Sequence, residues 1–260
     1  MTEAATPVKG TRPEGASTEA EASKKVREMF TEIAPRYDLL NHLLSWQLDR
    51  VWRARAANRL RPILARPDAL VLDLCCGTGD LAVALARAGK ARVIGADFAH
   101  SMLVRAREKV ATPPSGGVRN PIAPGSFFEA DALRLPFANC SFDLVATAFG
   151  FRNLANYESG LQEIQRVLKP GGAIAILEFA EPPEGFLGDF YRWYFLNVLP
   201  KIGGVISGHP SAYSYLPKSV ARFFRPAELA ALLRCVGYED VECRVWTLGA
   251  VALHVGHRPE

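Results

Sequence analysis

One stretch of ten residues constrains this chain more than any other: Val71-Leu72-Asp73-Leu74-Cys75-Cys76-Gly77-Thr78-Gly79-Asp80. An apolar run, a glycine turn and the start of a helical pattern follow without a spacer, which reads as strand, tight turn, helix. Gly77 and Gly79 let a ligand approach the backbone closely. Asp97 closes the next apolar run, about 18 residues beyond Gly79. A carboxylate there can hold both hydroxyls of a ribose. The segment therefore predicts a nucleoside cofactor at the first strand-to-helix turn of an α/β sheet.

The rest of the middle chain keeps that rhythm. Strands are expected over 69–74, 92–96, 127–128, 142–147 and 173–179, with helices over 80–88, 101–110 and 157–168 between them. Strands alternating with helices argue an α/β fold with a doubly wound, Rossmann-like, mostly parallel sheet. A helix over 226–236 and two strands over 238–246 and 250–257, turning near Gly249, predict an antiparallel hairpin at the sheet edge. Residues 1–22 lack an apolar period and read as a disordered tail. Residues 23–66 read as a helical lid broken at Pro35, with a helix over 48–64, and 67–260 as the cofactor-binding domain.

Composition removes several classes. With 49% hydrophobic and 22% charged residues, the 260-residue chain suits one large domain with a small appendage. A net charge of +4 is well short of a dedicated nucleic-acid binder, and no nucleic-acid partner is expected. The five cysteines form no C-x-x-C pair and the five histidines show no ligand spacing, so neither a metal nor a disulfide framework is expected. No apolar h-region opens the chain and no run approaches a spanning helix. The expectation is a cytoplasmic protein.

Two cofactors use such a loop. Gly77-x-Gly79-x-x-Ala82 fits a dinucleotide fingerprint, but Asp73 and Asp80 would each repel a pyrophosphate by about 1–4 kcal/mol at close range. S-adenosylmethionine (SAM) carries a sulfonium and an ammonium, which acids suit. Further along, Asp131 ends the third strand and can reach an adenine amino group. Phe98 and Met102 can pack on the ring.

With these residues in place, the chain resembles class I SAM-dependent methyltransferases. More narrowly, from about Val26 to Arg258, it resembles the ubiquinone/menaquinone biosynthesis C-methyltransferase family. The class motifs are the 73–80 loop and Arg166-Val167-Leu168-Lys169-Pro170-Gly171-Gly172. The family motifs are Phe149-Gly150-Phe151-Arg152-Asn153, Ala34-Pro35-Arg36-Tyr37-Asp38-Leu39-Leu40-Asn41, Leu177-Glu178-Phe179, Tyr213 to Val220 and Val251-Ala252-Leu253-His254. The resemblance implies SAM contacts at Thr78, Asp97, Asp131 and Ala132, beside Asp73, Gly77, Gly79 and Phe98 from the loop reading. The chain departs from the family at Ala148, where some members have Ser. It departs again at His42, often acidic, and at Gln47, where Gly is expected.

The implied reaction is methylation of a ring carbon on a polyprenylated quinol, demethylmenaquinol to menaquinol. The alternatives are a dual role that includes the methoxy-benzoquinol of the ubiquinone route, another small-molecule methyl acceptor, or an NAD(P) oxidoreductase. An oxidised quinone is electrophilic. The reduced quinol becomes a carbon nucleophile once an oxygen loses its proton, so positioning and phenolate stabilisation carry the catalysis. Arg152, Asn153 and Tyr37 are the candidate catalytic residues. Arg152 would hold the phenolate or orient a water, Asn153 would bond a quinol oxygen, and Tyr37 in the lid would bond or shuttle a proton. Glu178 reads as a base or as a brace. The aromatic run from Phe186 to Val198, flanked by Lys201, fits a prenyl-tail helix that meets the inner membrane face peripherally. Arg50 to Arg61 reads as a solvated helix face. Assembly into an oligomer stays open.

Overall fold

In a computed structural model the described residues are 10–38, 45, 47–112, 121–180, 185 and 210–260. Seven strands form one sheet: β1 (Leu70–Leu74), β2 (Arg92–Asp97), β3 (Phe127–Glu129), β4 (Phe142–Ala148), β5 (Leu168–Phe179), β6 (Glu239–Trp246) and β7 (Val251–His257). Their order is β3-β2-β1-β4-β5-β7-β6. The first five neighbours pair in parallel, and β7 runs antiparallel to both β5 and β6. The expected edge hairpin is present, inserted with β7 inward. The sheet order reverses between β1 and β4, which opens a crevice at their carboxyl ends.

Alternation along the strands splits the core in two. On one face Val71, Val93, Leu144 and Ala175 pack against Trp52 and Ala56 of α2 (Leu48–Arg59) and Leu81 and Leu85 of α3 (Asp80–Ala88). Leu103 and Ala106 of α4 (His100–Ala111) complete that layer. On the other face Leu72, Leu74, Val145 and Ile176 meet Leu161 and Ile164 of α5 (Tyr157–Val167) and Leu229 and Leu233 of α7 (Pro226–Val236). A strand buried on both sides reads as a continuous apolar run, as β1 and β4 do.

Four boundaries differ from expectation. The helix expected over 48–64 breaks at Leu60 into Leu48–Arg59 and a single turn, Arg61–Leu64, with Pro62 opening the second. The first helix, α1, spans Glu19–Ile33, because Thr18 and Glu21 form a reciprocal capping box. Ahead of it, residues 10–18 are not a disordered tail. The Thr11 amide donates to the Leu154 carbonyl (2.8 Å), and the Arg12 guanidinium donates to the Ala155 carbonyl (2.7 Å). Finally, Lys169 to Gly172, which follow the helix expected over 157–168 and precede the strand expected at 173, lie within β5. Gln47, where the resemblance leads one to expect glycine, takes a left-handed backbone (φ 60°), the region glycine enters most easily. His42, Asn41 and the aromatic run Phe186 to Val198 lie outside the described residues.

Candidate active site

A cleft of about 880 Å³, partly open to solvent, lies over the carboxyl ends of β1, β2 and β4. Its floor is the glycine loop. Gly77 and Gly79 both have positive φ (53° and 83°). At Gly79 a Cβ would also stand 3.0 Å from the Phe127 ring, so a side chain there meets both strain and a clash. Asp73 is fully buried. One of its oxygens accepts the Ala82 amide (2.7 Å), tying the strand to the first turn of α3, while the buried Oδ1 has no hydrogen-bond partner. Burial, with the nearby charges of Asp97 and Asp80, pushes its carboxyl well above the ordinary range.

Asp97 accepts the Gly77 amide (2.8 Å) and the Ala99 amide (2.9 Å), one on each oxygen. Burial raises its pKa to about 6, against the pull of those amides. Each carboxylate oxygen keeps a further lone pair for a ribose hydroxyl. The Gly79 amide donates to the Cys76 carbonyl (2.8 Å). The loop amides of Gly77, Gly79 and Ala82 are thus spent inside the protein.

Asp80 does not face the cleft as a free anion. Lys109 of α4 lies 2.7 Å from it, and the buried Arg53 guanidinium 3.6 Å away. Lys109 also meets Asp38 (2.6 Å) and donates to the Thr78 hydroxyl (3.0 Å), which itself donates to Asp38 (2.5 Å). Arg53 is held more closely still by Asp49 (2.5 Å), so the case against NAD(P) rests on the buried Asp73 more than on the paired Asp80. Sequence reading missed Lys109, and it placed Arg53 on the solvated face of Arg50 to Arg61, whereas Arg53 turns inward and is buried against Asp49 and Asp80, because a basic residue within a helix carries no local signal of its partner.

The upper wall comes from the N-terminal region. Ser23 and Phe30 of α1 and Tyr37 line the cleft with Phe98, Met102, Asp131 and Ala132. Asp131 accepts the Leu133 amide and stays exposed at the rim. Tyr37 packs edge-on against Phe30 (6.0 Å between centroids), and its ring lies close above Gly77. All eight candidate cofactor residues except Gly79 line the cleft. Gly79 instead shapes the turn beneath it. Ala148, Phe149 and Asn153 line the other side.

Arg152 is placed differently from expectation. It is buried and is not among the residues lining the cleft. Its guanidinium pairs with Glu178 (2.9 Å), donates to the Phe149 carbonyl and lies over the Phe179 ring (5.3 Å). Glu178 also accepts the amides of Arg152 (3.0 Å) and Phe179 (3.2 Å). A carboxylate holding an arginine and two amides is a brace, not a free base. The bracing has a target. Phe149 sits at φ 60°, a costly conformation for a bulky residue, and turns its carbonyl toward Arg152 and Asn153. A Cβ on Gly150 would lie 2.4 Å from the Cys75 side chain, so close packing of two loops, and not φ, demands glycine there.

Comparisons with known proteins agree with this geometry. The model of the ubiE/COQ5 methyltransferase family matches residues 18–258. The chain is 50% identical to the demethylmenaquinone methyltransferase of Thermus thermophilus over 89% of its length and all of that protein. It is 46% identical to the protein of the same name in Deinococcus radiodurans, over 90% of this chain and 92% of that one. It is 42% identical to the ubiquinone/menaquinone biosynthesis C-methyltransferase UbiE of Geobacter sulfurreducens, over 92% and 90%. Among solved structures, a SAM-dependent methyltransferase of Thermotoga maritima has a TM-score of 0.57 at 21% identity, covering 89% of this chain and 98% of that one. The [4+2]-cyclase SpnF reaches 0.63 at 17%, covering 91% and 96%. A cyclase on the same scaffold shows why the fold alone does not name the reaction.

Proposed function

The chain belongs to the ubiE/COQ5 methyltransferase family and is a SAM-dependent methyltransferase, and from that premise we propose that it methylates a ring carbon of a polyprenylated quinol, demethylmenaquinol above all. The observation that carries the cofactor half is the buried, unpartnered Asp73 Oδ1 in an acid-floored cleft. An orphaned carboxylate oxygen is costly unless a cationic or hydrogen-bonding ligand completes it. The similarity to two demethylmenaquinone methyltransferases favours the naphthoquinol over the benzoquinol.

When bound, SAM supplies a methyl group on a positively charged sulfur. The residues present fit it. Asp97 and Asp131 would take the ribose and adenine, Phe98 and Met102 the ring faces, and Asp73 the amino-acid end. The Arg53 guanidinium would balance a carboxylate there. On the acceptor side Asn153 and Tyr37 reach the cleft from opposite walls and can bond the quinol oxygens. The Asn153 amide stabilises charge as it develops on the ring oxygen. Arg152 and Glu178 act at one remove, as positioning residues that hold the strained 149–153 loop against β5. The aromatic run expected to take the prenyl tail at a membrane lies outside the described residues. No helix among the described residues is long and apolar enough to cross one.

The test is methyl transfer from labelled SAM to two reduced, short-tailed acceptors in parallel, a demethylated naphthoquinol and the unmethylated methoxy-benzoquinol. Label on the naphthoquinol is the expected result. Label on neither, with SAM still raising the melting temperature, would retain the cofactor and discard the substrate.

A further inference from the structure

Asn153 reaches the cleft, but its amide is set from behind. Its Oδ1 accepts from the Tyr215 hydroxyl (3.0 Å), and its Nδ2 faces the Phe149 carbonyl at 3.5 Å. A carbonyl only accepts, so the amide nitrogen must stand on the Phe149 side and the amide oxygen toward Tyr215. Tyr215 has one hydroxyl hydrogen, and Asn153 takes it. The Thr11 hydroxyl, 2.9 Å from the Tyr215 oxygen, is then the donor of that pair. The bonds run one way, from Thr11 through Tyr215 to Asn153, and the second Nδ2 hydrogen is left for a ligand in the cleft.

We infer that Tyr215 is a positioning residue for methyl transfer: its hydroxyl, set by Thr11, holds the Asn153 amide so that an N–H meets the substrate oxygen. The inference rests on the reading that Asn153 faces the quinol. The three residues come from separate parts of the chain. Thr11 lies in the strap ahead of α1, before the first residue matched by the family model, and Tyr215 lies in α6 (Pro210–Ala221). The strap is anchored at its own backbone. A Cβ on Gly10 would fall 2.0 Å from the Ala155 carbonyl oxygen, and the Thr11 amide is bonded to Leu154, next to Asn153. Burial also pushes the Tyr215 hydroxyl up from its ordinary pKa, so it stays protonated and keeps donating. In a water-poor site such a polarised chain is stronger than its separate bonds.

The test compares Tyr215→Phe, Thr11→Val, Asn153→Ala and the Tyr215→Phe/Asn153→Ala double variant, using labelled SAM and the reduced demethylnaphthoquinol. Tyr215→Phe is expected to lower kcat about tenfold, with KM, SAM affinity and melting temperature close to wild type. Thr11→Val is expected to lose about two- to threefold, since it removes only the outer bond. The double variant should be no slower than Asn153→Ala alone, because both changes break one unit. A wild-type rate in Tyr215→Phe while Asn153→Ala is slow overturns the inference and leaves the site reading standing. So do losses that multiply in the double variant. A wild-type rate in Asn153→Ala overturns the placement of substrate on that amide, and the inference with it. Should Tyr215→Phe fail to fold, Thr11→Val decides, and an unchanged kcat there refutes the coupling.

Discussion

Among single residues, Asp97 carries the clearest pH consequence. Its carboxyl is raised by burial to about 6, above the ordinary 3.8. The cofactor-free chain therefore keeps a proton on Asp97 that the unfolded chain loses earlier. This contribution to stability is full below the unfolded value and is lost as pH rises through about 6. On the proposed ribose contact at Asp97, cofactor binding runs the other way, because the hydroxyls need the ionised acceptor. SAM affinity is expected to weaken as pH falls below about 6, with proton release on binding near that pH. Calorimetry in two buffers of different ionisation enthalpy would detect it. A binding constant flat from pH 5 to 8 would remove Asp97 from the cofactor contacts. The sequence showed Asp97 as a strand-end acid, since position and residue type are both local. It could not show the pKa, which depends on what other elements bury.

Single elements read well where their signals are local. The Gly77–Gly79 turn, the Asn156 cap of α5 and the Gly237 stop of α7 all bound elements near their expected places. The Thr18–Glu21 capping box is equally local, but it opens a stretch with no apolar period to mark it as a helix. What no local pattern reveals is how the segment expected to act as a lid is fastened. Lys109 of α4 joins Asp38, behind Tyr37, to Thr78 and Asp80 of the cofactor loop. These groups are only partly buried, so each bond is worth less than in a dry core. Lys109→Met is nevertheless expected to weaken SAM binding by about three- to tenfold, because three charge-assisted contacts go at once. The measurement is SAM affinity by calorimetry, with Lys109→Arg as the control that keeps the charge. Affinity unchanged in Lys109→Met would show that the lid is held elsewhere.

At the scale of the whole molecule, the strap ahead of α1 and the segment from Tyr215 to Arg222 meet beside Leu154 and Ala155. The strap at 10–18 bonds to Leu154, Ala155 and Tyr215, and Arg222 donates back to the Arg12 carbonyl (3.2 Å). Removing residues 1–17 leaves the Thr18 cap in place, so α1 should persist. The truncated chain is expected to melt about 3–8 °C lower, matching the loss of about 2 kcal/mol of hydrogen bonds in a chain of this size. It should also turn over quinol more slowly than it loses SAM. Thermal denaturation and the methyl-transfer assay read the two effects. An unchanged melting temperature and rate would make the strap a passive tail after all. The sequence by itself determined the parallel sheet, the edge hairpin, the glycine loop and the acids of the cofactor cleft. Those follow from periodicity and from residues only a few positions apart. Tertiary structure alone decided that Arg152 pairs with Glu178, that Asp80 meets Lys109 and Arg53, and that Thr11 and Tyr215 stand behind Asn153. Each of these depends on which side chains arrive from distant parts of the chain, and the local pattern around any one of them does not say who its partner is.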